Sequence, residues 1–268
     1  MKIPLFQLDA FAAGLFRGNP AAVMVLEAFP ADSTMQAIAA ENNLSETAFL
    51  VRHEQDYLLR WFTPACEVPL CGHATLASAA VVMDRLEPGR KEVSFHTASG
   101  ILSVQRTGTG FRMNFPANPV RKTEIPPNCE AALGAHPVEF WKNDRFALVL
   151  LKSAREVREL RPHMDLVATL DPHGVIVTAP GDEQYDFVSR FFAPAMGVAE
   201  DPVTGSAHCV LTPFWAERLE KNEFRAFQAS VRGGELLCRL AADRVELEGQ
   251  CVFYLEGTAD LGSLVAEK

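Results

Sequence analysis

Asp56-Tyr57-Leu58-Leu59-Arg60-Trp61-Phe62-Thr63-Pro64-Ala65 returns as Asp186-Phe187-Val188-Ser189-Arg190-Phe191-Phe192-Ala193-Pro194-Ala195, with Asp, Arg, Phe, Pro and Ala coinciding at one offset, 190 − 60 = 130. The other positions stay apolar or small, apart from Leu59 against Ser189. Each copy then runs to a glycine that opens a small-residue helix, Gly72-His73-Ala74-Thr75-Leu76-Ala77 in the first and Gly205-Ser206-Ala207-His208-Cys209-Val210 in the second. That offset is 205 − 72 = 133, so the second turn carries three extra residues, and Gly100-Ile101-Leu102 is echoed 134 residues later by Gly234-Glu235-Leu236. A chain that repeats itself in this way reads as two similar halves, which, joined face to face, set two helix N-termini opposite one another. Helix N-termini carry unpaired N–H groups and partial positive charge, so such a pair can grip a small anionic ligand.

The 268 residues suffice for two units of about 130. The expected split is 1–120 and 121–268, with the terminal strand free to cross to the other half. Hydrophobic content of 48% and charged content of 22% are those of an ordinary globular protein. No apolar run approaches the roughly 18 residues of a membrane helix, the longest being Ala74 to Met83. Met1-Lys2-Ile3-Pro4 lacks the apolar core of a signal peptide, so a cytoplasmic protein without a membrane partner is expected. A net charge of −9 with no basic stripe argues against nucleic acid. Six scattered cysteines read as reduced, mostly buried thiols. Cys66, Cys71 and His73 have the look of metal ligands, but no second close pair completes a tetrahedron, and no metal is expected.

Apolar patterning gives strands near Lys2–Phe11, Ala21–Leu26, Ala48–Val51, Tyr57–Phe62, Glu92–His96, Ile101–Gln105 and Phe111–Phe115. A helix capped by Asp32 or Ser33 ends at Asn42-Asn43, and a second runs from Gly72 to about Leu86. The segment 116–140, rich in Pro, Asn and Glu, reads as a linker. The second half repeats the order, with strands near Phe146–Leu151, Val175–Thr178, Phe187–Phe192, Phe227–Val231, Leu236–Leu240, Val245–Leu247 and Val252–Leu255, and helices at Pro162–Leu170 and Gly205–Leu219. The expected class is α+β, two pseudo-symmetric strand-rich half-barrels, each around a central helix. No Gly-rich loop of dinucleotide-binding spacing follows a strand.

Four constellations carry chemistry. Ser45-Glu46-Thr47 sets a carboxylate between two hydroxyls at a strand entrance, a place suited to a general base. Cys71-Gly72-His73-Ala74-Thr75 offers a close backbone approach and a titratable imidazole at a helix start. Asp201-Pro202-Val203-Thr204-Gly205-Ser206 joins a stiff turn to a hydroxyl beside free N–H groups. Arg17-Gly18-Asn19-Pro20, taken alone, is a turn.

Taken together, these strings resemble the phenazine-biosynthesis PhzF-like family of isomerases, within the diaminopimelate-epimerase-like fold. The matching stretches are Phe16 to Ala21, Ser45 to Phe49, Phe62-Thr63-Pro64, Gly72 to Thr75 and Glu200 to Ala207, in the family's order. The resemblance implies two halves with the active site in the cleft between them, no metal, no organic cofactor and a homodimer. It implies Glu46 as acid/base, assisted by His73, Asp201 and Ser206, with Asn19, Gly72 and Gly205 at the substrate. The reaction implied is a cofactor-independent isomerisation that moves a proton on a small carboxylate-bearing molecule. The fold's other branch opposes two cysteines. Cys71 stands where one would be, but the opposing position is Pro202. The alternatives are therefore an epimerase using Glu46 and Cys71, and a catalytically silent small-anion binding protein.

Overall fold

The repeat in the sequence becomes a repeat in strand pairing. The structure, a computed structural model, describes residues 2–182 and 184–262. One unit runs as far as Asn114 and resumes at Glu248, and the other spans Phe115–Leu247. The first contains β1 (Lys2–Ala10), β2 (Asn19–Leu26), α1 (Asp32–Asn42), β3 (Glu46–His53), β4 (Asp56–Phe62), β5 (Glu67–Val68), α2 (Gly72–Val81), β6 (Glu92–Thr97), β7 (Gly100–Arg106) and β8 (Phe111–Pro116). The second contains β9 (Arg121–Thr123), α3 (Cys129–Leu133), β10 (Glu139–Lys142), β11 (Ala147–Leu150), α4 (Ala154–Glu159), α5 (Met164–Leu170), β12 (Val175–Pro180), β13 (Phe187–Phe192), α6 (Gly205–Leu219), β14 (Glu223–Gln228), β15 (Gly234–Ala241) and β16 (Arg244–Gly249). The closing strand is β17 (Cys251–Asp260).

In the first unit β1–β2 is antiparallel, β2–β3 parallel, β3–β4 antiparallel, β4–β6 parallel and β6–β7 antiparallel. In the second the same alternation runs β10–β11, β11–β12, β12–β13, β13–β14, β14–β15. Each parallel step needs a crossover, supplied by α1 and α2 in the first unit and by α4, α5 and α6 in the second.

The helices that begin at the repeated glycines are the buried ones. Every residue of α2 from His73 to Val81 is buried, and the helix packs against β1, β2, β3 and β17. A helix apolar on all sides belongs inside its layer of strands, and its Ala, Ser and Thr side chains let the strands approach. Its hydroxyls are satisfied within the helix, Thr75 Oγ1 donating to the Cys71 carbonyl at 2.6 Å and Ser78 Oγ to that of Ala74 at 2.7 Å. Helix α6 carries Pro213 in its interior. Proline has no N–H to give to the carbonyl four residues back, and the freed Cys209 carbonyl instead accepts from the Asn118 N–H at 3.0 Å.

The repeated arginines do the same work in each copy. Arg60 forks onto Glu67 with contacts of 2.7 and 2.7 Å, and Arg190 forks onto Glu200 at 2.6 and 2.9 Å. Each bidentate pair ties its strand to the segment leading into the buried helix.

Several expectations are corrected. Residues 116–140 are not a structureless linker, since β9, α3 and the start of β10 lie there. The prolines punctuate short elements, and the Pro126 carbonyl accepts the Cys129 N–H at the start of α3. The strand expected at Phe227–Val231 lies earlier, at Glu223–Gln228, because pairing to β13 fixes Ala226 opposite Phe187 and leaves Val231 93% exposed. Neither Asp32 nor Ser33 caps α1, whose N-cap is Ala31, and Asp32 pairs with Arg60. The first unit ends at Asn114 and takes in the terminal strand β17, which pairs with β1 from Lys2↔Asp260 to Ala10↔Cys251, the crossing that the sequence reading allowed for. Among the described residues no helix is long and apolar enough to cross a membrane.

Candidate active site

In the first unit a sharp turn, a strand entrance and a helix start converge on one imidazole. Gly18 takes φ +65, and a Cβ there would lie 2.2 Å from the Ala10 carbonyl oxygen, so only glycine fits. The turn is braced from below by the buried Asp9, whose Oδ2 accepts the Phe16 N–H at 3.0 Å. It delivers Asn19, fully buried at the start of β2, with Nδ2 3.2 Å from His73 Nδ1. Cys71, the N-cap of α2, places Sγ 3.5 Å from the same nitrogen. On the other side of the ring, His73 Nε2 lies 3.0 Å from Glu46 Oε2, an ion-pair separation set off the line of a hydrogen bond. Glu46 opens β3, where the parallel register sets it beside Ala21.

The flanking hydroxyls do not hold Glu46 as expected. Thr47 points to the opposite face of the strand, as alternation requires, and its Oγ1 accepts from Asn42 Nδ2 at 3.1 Å. The neighbour that faces the carboxylate is His73, at 3.0 Å.

Charge in this cluster is shared. Burial pushes the Cys71 thiol up to about 11, helped by the Glu46 carboxylate and opposed by His73. Burial alone would push His73 down, but Cys71 and Glu46 outweigh it and hold the imidazole well above its ordinary range. The Cys71 share of that rise exists only once the sulfur is a thiolate. Around neutral pH the standing negative neighbour of His73 is therefore Glu46.

Donor atoms of Glu46, Cys71 and His73 all lie within 4.8 Å of one another. The arrangement nevertheless suits a proton better than a metal ion. Cys71 and Glu46 approach opposite ring nitrogens, whose lone pairs diverge, so one ion on either nitrogen cannot also take both other donors without the ring turning.

The second unit builds its own cluster at the start of α6. Thr204 is the N-cap there, the place that Cys71 holds on α2, so this helix start presents a hydroxyl in place of a thiol. Thr204 Oγ1 donates to Asp201 Oδ2 at 2.5 Å. Gln228, fully buried, accepts the Thr204 N–H at 2.8 Å and donates to the Asp201 carbonyl at 2.8 Å and to Thr204 Oγ1 at 3.2 Å. Ser230 Oγ donates to the Pro202 carbonyl at 2.8 Å. Gln228 was invisible in the sequence, because its partners lie 24 and 27 residues back on another element. Ser206 is half-buried on the first turn, beside the buried Gly205. His208 Nδ1 lies 2.8 Å from the Thr204 carbonyl and must donate to it, and burial pushes this ring down to about 4.

The sequence matches the family described as phenazine biosynthesis-like protein over residues 8–257. It is 49% identical over 257 residues to an uncharacterized isomerase of Pseudomonas aeruginosa, covering 96% of this chain and 98% of that protein. Its backbone is similar to the crystal structure of a PhzF-family phenazine biosynthesis protein from Enterococcus faecalis, with a TM-score of 0.94, 42% identity and coverage of 97% and 100%. A hydroxyproline epimerase from Agrobacterium vitis shares the fold alone, at a TM-score of 0.64 and 9% identity, with coverage of 97% and 93%.

Proposed function

Because the chain belongs to the phenazine biosynthesis-like protein family, whose relative in Pseudomonas aeruginosa is named an isomerase, we propose that it is a cofactor-independent isomerase. In this reading Glu46 takes a proton from a small carboxylate-bearing substrate and returns it elsewhere on the same molecule. The observation that carries the reading is the 3.0 Å contact between Glu46 and a buried His73 at the start of α2. An acid/base group needs a fixed position and a neighbour that answers its change of charge, and His73 supplies both. Oε1 is then left to face the substrate while Oε2 faces the imidazole. The proposal gives Asp201 and Ser206 an assisting role, Asn19 a place at the site, and the substrate's negative charge to the helix starts at Gly72 and Gly205. It carries with it a cytoplasmic homodimer, which light scattering on the purified protein checks as far as the oligomer.

The test is turnover by Glu46→Gln. A panel of cyclic and unsaturated carboxylates, followed by proton NMR, identifies a compound that the wild-type protein rearranges. Positioned acid/base groups contribute about 10²–10⁴-fold to rate, so the Gln variant should lose at least about 100-fold at an unchanged melting temperature. Near-wild-type turnover by Glu46→Gln removes the assignment.

A second reading, an epimerase using Glu46 and Cys71, draws on the 3.5 Å contact between Cys71 Sγ and His73. Solvent deuterium entering a chiral centre of the substrate separates it from a proton shift on one face.

A further inference from the structure

Cys71, His73 and Glu46 stand in series through the two nitrogens of one ring. At Nδ1 the imidazole meets the Asn19 amide at 3.2 Å and the Cys71 sulfur at 3.5 Å. With the thiol protonated the Cys71 pull on the ring is absent and burial, the largest effect, favours the neutral imidazole. An amide N–H₂ and a thiol S–H are then both donors, and Nδ1 accepts. The ring proton then sits on Nε2 and faces the carboxylate 3.0 Å away. The sulfur end and the ring are shielded, with Cys71 6% and His73 5% exposed, while the Glu46 side chain is 17% exposed.

We propose that this series is a proton relay connecting Cys71 to Glu46, and that Asn19 is a positioning residue that sets its resting tautomer. In the transfer the Cys71 S–H bond breaks as Nδ1–H forms, while, once Glu46 turns onto the Nε2–H line, Nε2–H breaks as Glu46 Oε2–H forms. The products are a thiolate, a neutral imidazole in its other tautomer and a carboxylic acid. Protons and charge balance, and no external acid, base or oxidant takes part. The relay thus keeps two states of equal proton count, in each of which one of Glu46 and Cys71 is the acid and the other the base. That is the condition for exchanging a proton with a carbon centre between two groups, so the site carries an opposed pair although neither Pro202 nor Thr204 supplies a second thiol. The proposal rests on the reading of Glu46 as an acid/base group, but its test needs no substrate.

The experiment is native alkylation of Cys71 by iodoacetamide at pH 8, read by peptide mass spectrometry against the other five cysteines. Loss of a nearby carboxylate, as charge alone, would make a thiolate easier to form and speed the reaction. A relay instead needs the carboxylate as the proton's destination. Glu46→Gln and His73→Gln should therefore each slow Cys71 alkylation by about tenfold or more, the effect of one pKa unit. Unchanged or faster labelling in Glu46→Gln overturns the relay. A second measurement keeps the proposal falsifiable where wild-type labelling is too slow to follow. Nitrogen-15 NMR of labelled histidine, taken above the pH at which the ring becomes neutral, should show His73 as the Nε2–H tautomer, shifting toward Nδ1–H in Asn19→Leu, and an Nδ1–H neutral ring overturns the proposal. Turnover that survives in Glu46→Gln while alkylation slows would remove the isomerase reading and leave the relay standing.

Discussion

His208 should make the protein's stability fall in mild acid by a predictable amount. Its ring is fully buried, and burial pushes it from the ordinary 6.5 down to about 4, against the weaker pull of the Thr204 carbonyl. The folded state therefore keeps the imidazole neutral where the unfolded chain protonates it. With more protons bound in the unfolded state, stability is intact above about pH 6.5, declines as pH falls and has lost this contribution once pH passes about 4. The shift of 6.5 − 4 = 2.5 units corresponds to about 3 kcal/mol at 1.36 kcal/mol per unit, and about 2 kcal/mol of it falls between pH 7.5 and 5. Urea unfolding of the wild type and of His208→Gln at those two pH values isolates the term, because every other titrating group is common to both. Gln keeps a donor for the Thr204 carbonyl and cannot titrate. The wild type should lose about 2 kcal/mol more than the variant over this interval, and equal losses would refute the reasoning. Direct NMR titration of the ring, which should stay neutral through pH 5 in the folded protein, is the independent check.

Gly18→Ala should lower stability by about 2 kcal/mol or more, combining about 1 kcal/mol for a left-handed non-glycine residue with the overlap of its Cβ on the Ala10 oxygen, and the melting temperature should fall by about 4 °C or more. The paired arginines should respond unequally. Glu200→Gln strands the buried Arg190 and should cost about 3 kcal/mol, whereas Glu67→Gln beside the more exposed Arg60 should cost under about 1 kcal/mol, as measured by urea unfolding. Under native conditions iodoacetamide should label the exposed Cys66 first, and should reach the buried Cys129, Cys209 and Cys238 only after denaturation. Early labelling of Cys238 would contradict its burial.

What could be read from the chain was what is local or repeated. The offset of 130 between Arg60 and Arg190 already announced one strand pairing used twice. Both buried helices begin at the glycines where small residues start. Helix α4 was missed although its signal is present, since Ser153 Oγ accepts the Glu156 N–H at 3.3 Å while the Glu156 carboxylate accepts the Lys152 N–H at 3.0 Å, a capping exchange spelled out by Ser153-Ala154-Arg155-Glu156. Other features had no local signature. Nothing near Gln228 says that it will bind the loop at Asp201–Thr204. Nothing near Glu46 says that its partner is an imidazole 27 residues on rather than the hydroxyls beside it. Contacts of that kind are decided by the register of strands, which a single sequence states only through its repeats.

The return of β17 to β1 sets an order of events during synthesis. Chains generally fold from the N-terminus as they emerge from the ribosome, yet the first unit lacks a strand until residues 251–260 have been made, some 240 residues after β1. The second unit is continuous in sequence, from Phe115 to Leu247, and Asn118 is already waiting when α6 arrives with its open carbonyl at Cys209. The half translated last can therefore finish first, while the half that holds Glu46 and His73 stays open along β1 until the final strand closes it. A ribosome stalled short of residue 251 would hold a completed second unit beside an unclosed first one.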